Sequence, residues 1–160
     1  MTPADDLPDL PPGPFVYVRR VRWGECDPAK IAYTGNIPGM ALEAVEDWVK
    51  ACTGADWYVG HLDQGIGTPF VHLSCDFTAP ITPRHDLVCH LTVERLGRAS
   101  VATRVEASQD GRLRLKARYV FACVDAESMR PIPIPPAIRA RMRRFAEGQG
   151  RDFEDAAGGG

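Results

Sequence analysis

The 160-residue chain has no apolar run near the roughly 18 residues that a membrane-spanning helix needs, so no transmembrane segment is expected. Charge of one sign is also missing. Nineteen Lys and Arg against 21 Asp and Glu leave a net charge of -2, which argues against a nucleic-acid-binding or membrane-binding surface. Cysteine is sparse and odd in number: Cys26, Cys52, Cys75, Cys89 and Cys123 are widely spaced and form no CxxC pair. That pattern excludes a disulfide framework and a structural zinc site, and points to reduced thiols and a cytoplasmic protein. His61, His72, His85 and His90 lack the mutual spacing of a metal site, so no metal is expected. The opening MTPADDLPDLPPGP has neither the basic start nor the apolar centre of a signal peptide and reads as a mobile arm over 1–14.

The composition, 44% hydrophobic and 25% charged, is that of one ordinary globular domain with room for a core. Its most informative stretch is WGECDPAKIAY, residues 23–33. Here Asp27 ends an apolar run, a strand-stopping proline follows, and an amphipathic helix comes soon after. A carboxylate held beside the open amides of a helix start supplies two parts of carbonyl chemistry, a base or nucleophile and donors for an oxyanion.

Residues 15–23, FVYVRRVRW, read as a strand through β-branched and aromatic content. The segment 24–38 reads as loop. Residues 39–52 read as a helix, with Met40, Ala41, Ala44, Val45, Trp48 and Cys52 recurring at three- and four-residue spacing, and Thr53-Gly54 as its stop. A short irregular or helical piece lies around 57–62. Four alternating segments follow, at 69–79, 86–96, 100–108 and 112–125, with Asp110-Gly111 as a hairpin signal. Prolines at 131, 133, 135 and 136 end the sheet. A basic helix over AIRARMRRFAEG and a disordered DFEDAAGGG tail complete the chain, which gives an arm at 1–14, a domain at 15–136 and a C-terminal helix and tail at 137–160. The fold class is α+β: an antiparallel sheet with one face on a long helix. Its uncovered edges suggest a homo-oligomer.

The stretch GECDPAKIAYTGN resembles, in order and spacing, the G-D-C-D-P-A-G-I-V-Y-Y-P-N motif of hotdog-fold thioesterases of the 4-hydroxybenzoyl-CoA thioesterase group. Gly67-Thr68-Pro69, DFTAPITPRHDL, Arg98-Ala99-Ser100 and PIPIP extend the resemblance over about 15–136. The resemblance implies a hotdog fold and a homodimer or homotetramer with active sites between subunits. It also implies hydrolysis of an aromatic or short acyl-CoA to a carboxylic acid and coenzyme A. Asp27 is then the catalytic carboxylate, as nucleophile or base, and the Thr34 backbone amide, with Gly35 beside it, holds the oxyanion. Tyr33, Gly35, Arg98 and Ser100 are assigned to substrate binding, with Arg95 near Arg98. No cofactor is implied, coenzyme A being part of the substrate.

Two positions depart from the motif. Lys30 stands where the family has glycine, which predicts either a changed loop or a lysine beside Asp27, and Thr34-Gly35-Asn36 replaces Tyr-Pro-Asn. The alternatives are an acyl-CoA-binding hotdog protein without hydrolysis, its site blocked by Lys30, and an acyl-thioester dehydratase. The dehydratase is disfavoured because residues 23–36 contain no histidine. Cys26 reads as structural, since nothing nearby in sequence would activate its thiol. Glu43 and Glu46 are secondary candidates for a helical catalytic carboxylate. Trp48 and Trp57 read as core or interface aromatics.

Overall fold

The computed structural model describes residues 6–156. Five main strands, β1 (Phe15–Arg19), β3 (Phe70–Phe77), β4 (Leu87–Leu96), β5 (Ser100–Gln109) and β6 (Arg112–Ala122), form one antiparallel sheet in the order β1-β4-β5-β6-β3. The long helix α1 (Ile37–Thr53) packs on one face of it. This is the α+β hotdog arrangement expected from the sequence. No helix among the described residues is long and apolar enough to cross a membrane.

The packing follows the periodicities. Met40, Ala41, Ala44, Val45, Trp48, Val49 and Cys52 form the buried stripe of α1. Against it lie Leu87, Cys89, Leu91 and Val93 from β4, Val101 and Val105 from β5, and Leu115, Ala117 and Tyr119 from β6. Ala41 and Ala44, both fully buried, let helix and sheet approach closely. The Tyr119 hydroxyl donates to the Pro38 carbonyl at 2.6 Å and fixes the helix start over the sheet.

The helix begins at Ile37, two residues before its predicted start. Pro38 reads as loop punctuation in the sequence, but a proline fits the first helical turn, where its missing N–H is no loss. At the other end Gly54 takes φ 73° and terminates the helix as expected. Strand β1 stops at Arg19, four residues short of the prediction, because Arg19 pairs with Leu87, where β4 begins.

Around this frame lie α2 (Trp57–Gln64), the two-residue pair β2 (Ile66–Gly67) with β7 (Val124–Asp125), α3 (Pro136–Gly148) and β8 (Glu154–Asp155). Two segments expected to be loose carry specific contacts instead. In the N-terminal arm, the Leu7 and Pro8 carbonyls accept from the Arg141 guanidinium at 3.0 and 2.7 Å, and Leu10 packs on the core. In the tail, β8 pairs in parallel with Arg95 and Leu96 of β4, Phe153 packs on the core, and Asp155 takes the guanidinium groups of Arg139 and Arg143. The partners of these polar stretches come from α3 and β4, remote in sequence. Residues 1–5 of the arm and 157–160 of the tail lie outside the described residues.

Candidate active site

After β1 and a short 3-10 turn (Trp23–Glu25), the chain folds back on itself. Cys26 bridges Ala32, the Asp27 amide donates to the Ile31 carbonyl at 3.0 Å, and the Tyr33 amide donates to the Glu25 carbonyl at 2.9 Å. At the tip, the Lys30 amide donates to the Asp27 carbonyl at 2.9 Å, with Pro28 and Ala29 as the central turn residues. Asp in the first position and Pro in the second suit such a turn. A following residue in the left-handed region then closes a three-residue hairpin.

That residue is Lys30, at φ 65°. The motif glycine is thus explained by backbone conformation. The expectation that lysine would change the loop is not met: Lys30 adopts the glycine-like geometry and bears its steric cost.

Asp27 Oδ1 accepts the Ala29 amide at 2.8 Å, so the carboxylate is fixed through one oxygen and only partly buried. The bond caps the turn and sets the pose of the carboxylate. Immediately after Tyr33, a 3-10 turn (Thr34–Asn36) leads into α1. The Asn36 amide is taken by the Tyr33 carbonyl at 2.9 Å. Thr34 and Gly35 precede it, at the positions where a helix start offers its amides no internal acceptor. They lie at the positive end of the α1 dipole, where negative charge is favoured. Asn36 Nδ2 donates to the Glu25 carbonyl at 3.3 Å, a second tie between hairpin and helix start.

A polar chain beneath the hairpin is not anticipated by the motif. Arg19 Nη2 reaches Glu25 Oε1 at 2.5 Å, and Arg19 Nε lies 3.4 Å from Glu43 Oε2. The Tyr17 hydroxyl donates to the same Glu43 oxygen at 2.8 Å. Glu25 Oε2 also accepts the Arg22 amide at 2.7 Å. Burial pushes the Glu25 carboxyl up, but the bonds from the Arg22 amide and the Arg19 guanidinium, together with the Arg19 charge, outweigh it and hold it below its usual range. Burial, then the bond to Glu43, pushes Tyr17 up to about 12. One sequence signal was available: Phe15, Tyr17 and Arg19 share the helix-facing side of β1, and a charged residue there needs a partner.

Glu43 is therefore engaged by two partners. Glu46 lines an open groove with Leu42, Trp57, Tyr58, His61 and Phe70, and burial followed by the charges of Glu43 and Asp47 raises its carboxyl. Trp48 is fully buried against Phe145, and Trp57 packs edge-on against Phe70 and Phe121. Burial pushes the Cys52 and Cys89 thiols up to about 12, which makes them inert. Among the described residues, no three His, Cys, Asp or Glu side chains gather as a metal site would require.

The structure sets Asp27 and Tyr33 on the hairpin and Thr34 and Gly35 on the helix start that directly follows it, and leaves Arg98 and Ser100 apart from them. Arg98 is exposed in the link after β4, which Gly97 closes by donating to the Ser100 carbonyl at 2.8 Å. The hairpin follows β1 at the Leu87 end of β4, and the link leaves from the Leu96 end. Ten residues of strand separate them, about 30 Å at the usual rise.

The sequence pattern of the thioesterase-like superfamily matches residues 21–142. A solved thioesterase-superfamily structure from Jannaschia sp. CCS1 is 41% identical, with a TM-score of 0.78 over 85% of this chain and 96% of that one. The 1,4-dihydroxy-2-naphthoyl-CoA hydrolase of Nostoc punctiforme is 28% identical over 86% of this chain and 94% of its own length. The 4-hydroxybenzoyl-CoA thioesterase of Pseudomonas sp. strain CBS-3 is 27% identical over 73% and 89%. With the hairpin and helix start described above inside the matched span, the chain belongs to the thioesterase-like superfamily.

Proposed function

We propose that the protein is an acyl-CoA thioesterase that hydrolyses an aromatic or short acyl thioester to a carboxylic acid and coenzyme A. The observation that carries this reading is the hairpin of residues 25–33, whose turn carries Asp27 and whose base, Glu25 with Tyr33, adjoins the first amides of α1. The thioester oxygen sits at the Thr34 and Gly35 amides, which stabilise its developing charge. Asp27 either attacks the carbonyl carbon, forming an anhydride as the thiolate departs, which water then hydrolyses to free the acid and restore the carboxylate, or takes a proton from the attacking water and passes it to the departing thiolate. Neither route calls for a metal or redox cofactor. The names of the Nostoc and Pseudomonas relatives support an aryl-CoA substrate.

Arg98 and Ser100 reach the same substrate only from a second copy, given their distance from Asp27 within one chain. A homodimer or homotetramer is the corresponding assembly. The uncovered edge of β3 supports it, where Val71, Leu73 and Phe77 are 64, 47 and 50% exposed. The free thiols accord with a cytoplasmic setting.

Thiol release from a panel of aryl- and alkyl-CoA thioesters tests the reading. Asp27→Asn is expected to lower kcat at least ~100-fold while acyl-CoA still binds. Binding without turnover by the wild type would favour the non-catalytic alternative, and wild-type rates in Asp27→Asn would move the chemistry to Glu46.

A further inference from the structure

We propose that Arg19 is a positioning residue that sets the Asp27 hairpin against the α1 amides, by holding Glu25 of the hairpin and Glu43 of the helix with one guanidinium. The inference rests on the thioesterase reading and adds to it a residue outside the motif.

Two rigid bodies must be registered for carbonyl chemistry to work here. One is the hairpin that carries Asp27. The other is α1, whose first turn carries the oxyanion amides. The bonds that join hairpin and helix start run from Asn36: its amide donates to the Tyr33 carbonyl and its side chain to the Glu25 carbonyl, which also accepts the Tyr33 amide at the base of the hairpin. Residue 25 therefore sits at the junction between the hairpin and the helix start. Its side chain is held on two sides, by the Arg22 amide at 2.7 Å and by Arg19 Nη2 at 2.5 Å.

Arg19 is in turn fixed. Its backbone pairs with Leu87 in the sheet, and its side chain is only 10% exposed. Its Nε faces Glu43 Oε2 at 3.4 Å, and that oxygen is anchored by the Tyr17 hydroxyl at 2.8 Å. Glu43 lies on the second turn of α1, after Ile37 at its start. Arg19 thus links hairpin, sheet and helix through a planar fork that can serve two carboxylates in fixed directions, which a lysine ammonium cannot do. A misplacement of about 1 Å at a reacting pair costs rate far more than it costs stability.

The test compares wild type with Arg19→Met, Arg19→Lys, Glu25→Gln, Glu43→Gln and the double Gln variant. Two readouts are taken: kcat and KM for an aryl-CoA thioester, and site-resolved amide hydrogen exchange. Arg19→Met is expected to lower kcat about ten-fold or more with KM changed less than about two-fold, and Arg19→Lys to recover only part of the loss. The two Gln substitutions are expected to be non-additive, since both act through one guanidinium. In exchange, the Asp27 and Tyr33 amides should lose about ten-fold protection while those of Val45 and Leu91 hold theirs.

Unchanged kcat in a folded Arg19→Met, or unchanged protection at Asp27 and Tyr33, would overturn the inference, as would additive Gln variants. If Arg19→Met does not fold, Glu25→Gln and Glu43→Gln carry the same test. Exchange decides the matter even if the wild type hydrolyses no thioester, an outcome that would remove the activity and leave the positioning role to be judged by itself.

Discussion

The ring of Tyr33 lies directly over Gly35: a Cβ at residue 35 would sit 2.6 Å from Tyr33 Cε1. The residue bearing one candidate oxyanion amide is therefore small because an aromatic ring occupies the space beside it. Gly35→Ala must push that ring aside. Tyr33 is 56% exposed and free to swing, so the fold should lose little stability. The cost should fall on kcat/KM for aryl-CoA thioesters, by about ten-fold, if the ring lines the acyl site. In a Tyr33→Ala background, Gly35→Ala should then have almost no further effect. Equal effects in both backgrounds would show that the contact is irrelevant to substrate.

Lys30 carries a second prediction. At φ 65° a lysine is strained where glycine is not. Lys30→Gly should stabilise the protein by about 1 kcal/mol, and Lys30→Val should destabilise it by a similar amount or more. Thermal unfolding of the three proteins measures this, with Tm changes of about 2–4 °C per kcal/mol expected at this size. If Lys30 blocked the site, as the non-catalytic alternative requires, Lys30→Gly would also raise turnover strongly. On the hydrolase reading turnover changes little.

How much of this was legible beforehand divides by the range of the interaction. The stripe from Met40 to Cys52 and the alternation of β4 to β6 are periodic signals, and they placed the core within a residue or two. Asp27, Thr34 and Gly35 belong to one contiguous motif, and the structure sets them on the hairpin and on the helix start that directly follows it. Arg98 and Ser100 rest on the same kind of local match, but sequence spacing does not record that β1 pairs with β4, which puts the Asp27 hairpin at the opposite end of that strand. The Arg19–Glu43 pairing joins β1 to a helix 24 positions on, and no periodicity records such a partner. The order of β8 likewise depends on guanidinium groups in α3.

The edge of β3 yields a third prediction. Val71, Leu73 and Phe77 remain exposed because α1 does not extend over that edge. An unpaired strand edge flanked by such side chains invites another strand. If a second copy covers it, Leu73→Lys should reduce the mass in light scattering to that of one chain. Hydrolysis should fall with it, since Arg98 would lose access to the partner's Asp27 hairpin. A wild-type protein already monomeric at micromolar concentration would sink the proposal.

Glu25 makes the polar chain beneath the hairpin dependent on pH with a definite sign. Its carboxyl is held below the ordinary 4.5, so its folded form binds a proton less readily than its unfolded form. The stabilisation is therefore present in full above pH of about 4.5 and is lost as the pH falls through the lowered folded value. Glu25→Gln removes the charge on which it depends. The wild type should exceed the variant by about 1–2 kcal/mol near pH 7, the range for a charge-assisted bond that is mostly covered. The gap should narrow as the pH falls below 4.5 and through the lowered folded value. Glu94, also held low despite its burial by bonds from Arg104 and Arg118, contributes equally to both proteins and cancels in the difference. Urea unfolding at pH 7, 5, 4 and 3 gives the comparison. A gap that stayed constant to pH 3 would mean that Glu25 acts through packing alone, and that the Arg19 contact carries no charge-dependent stability.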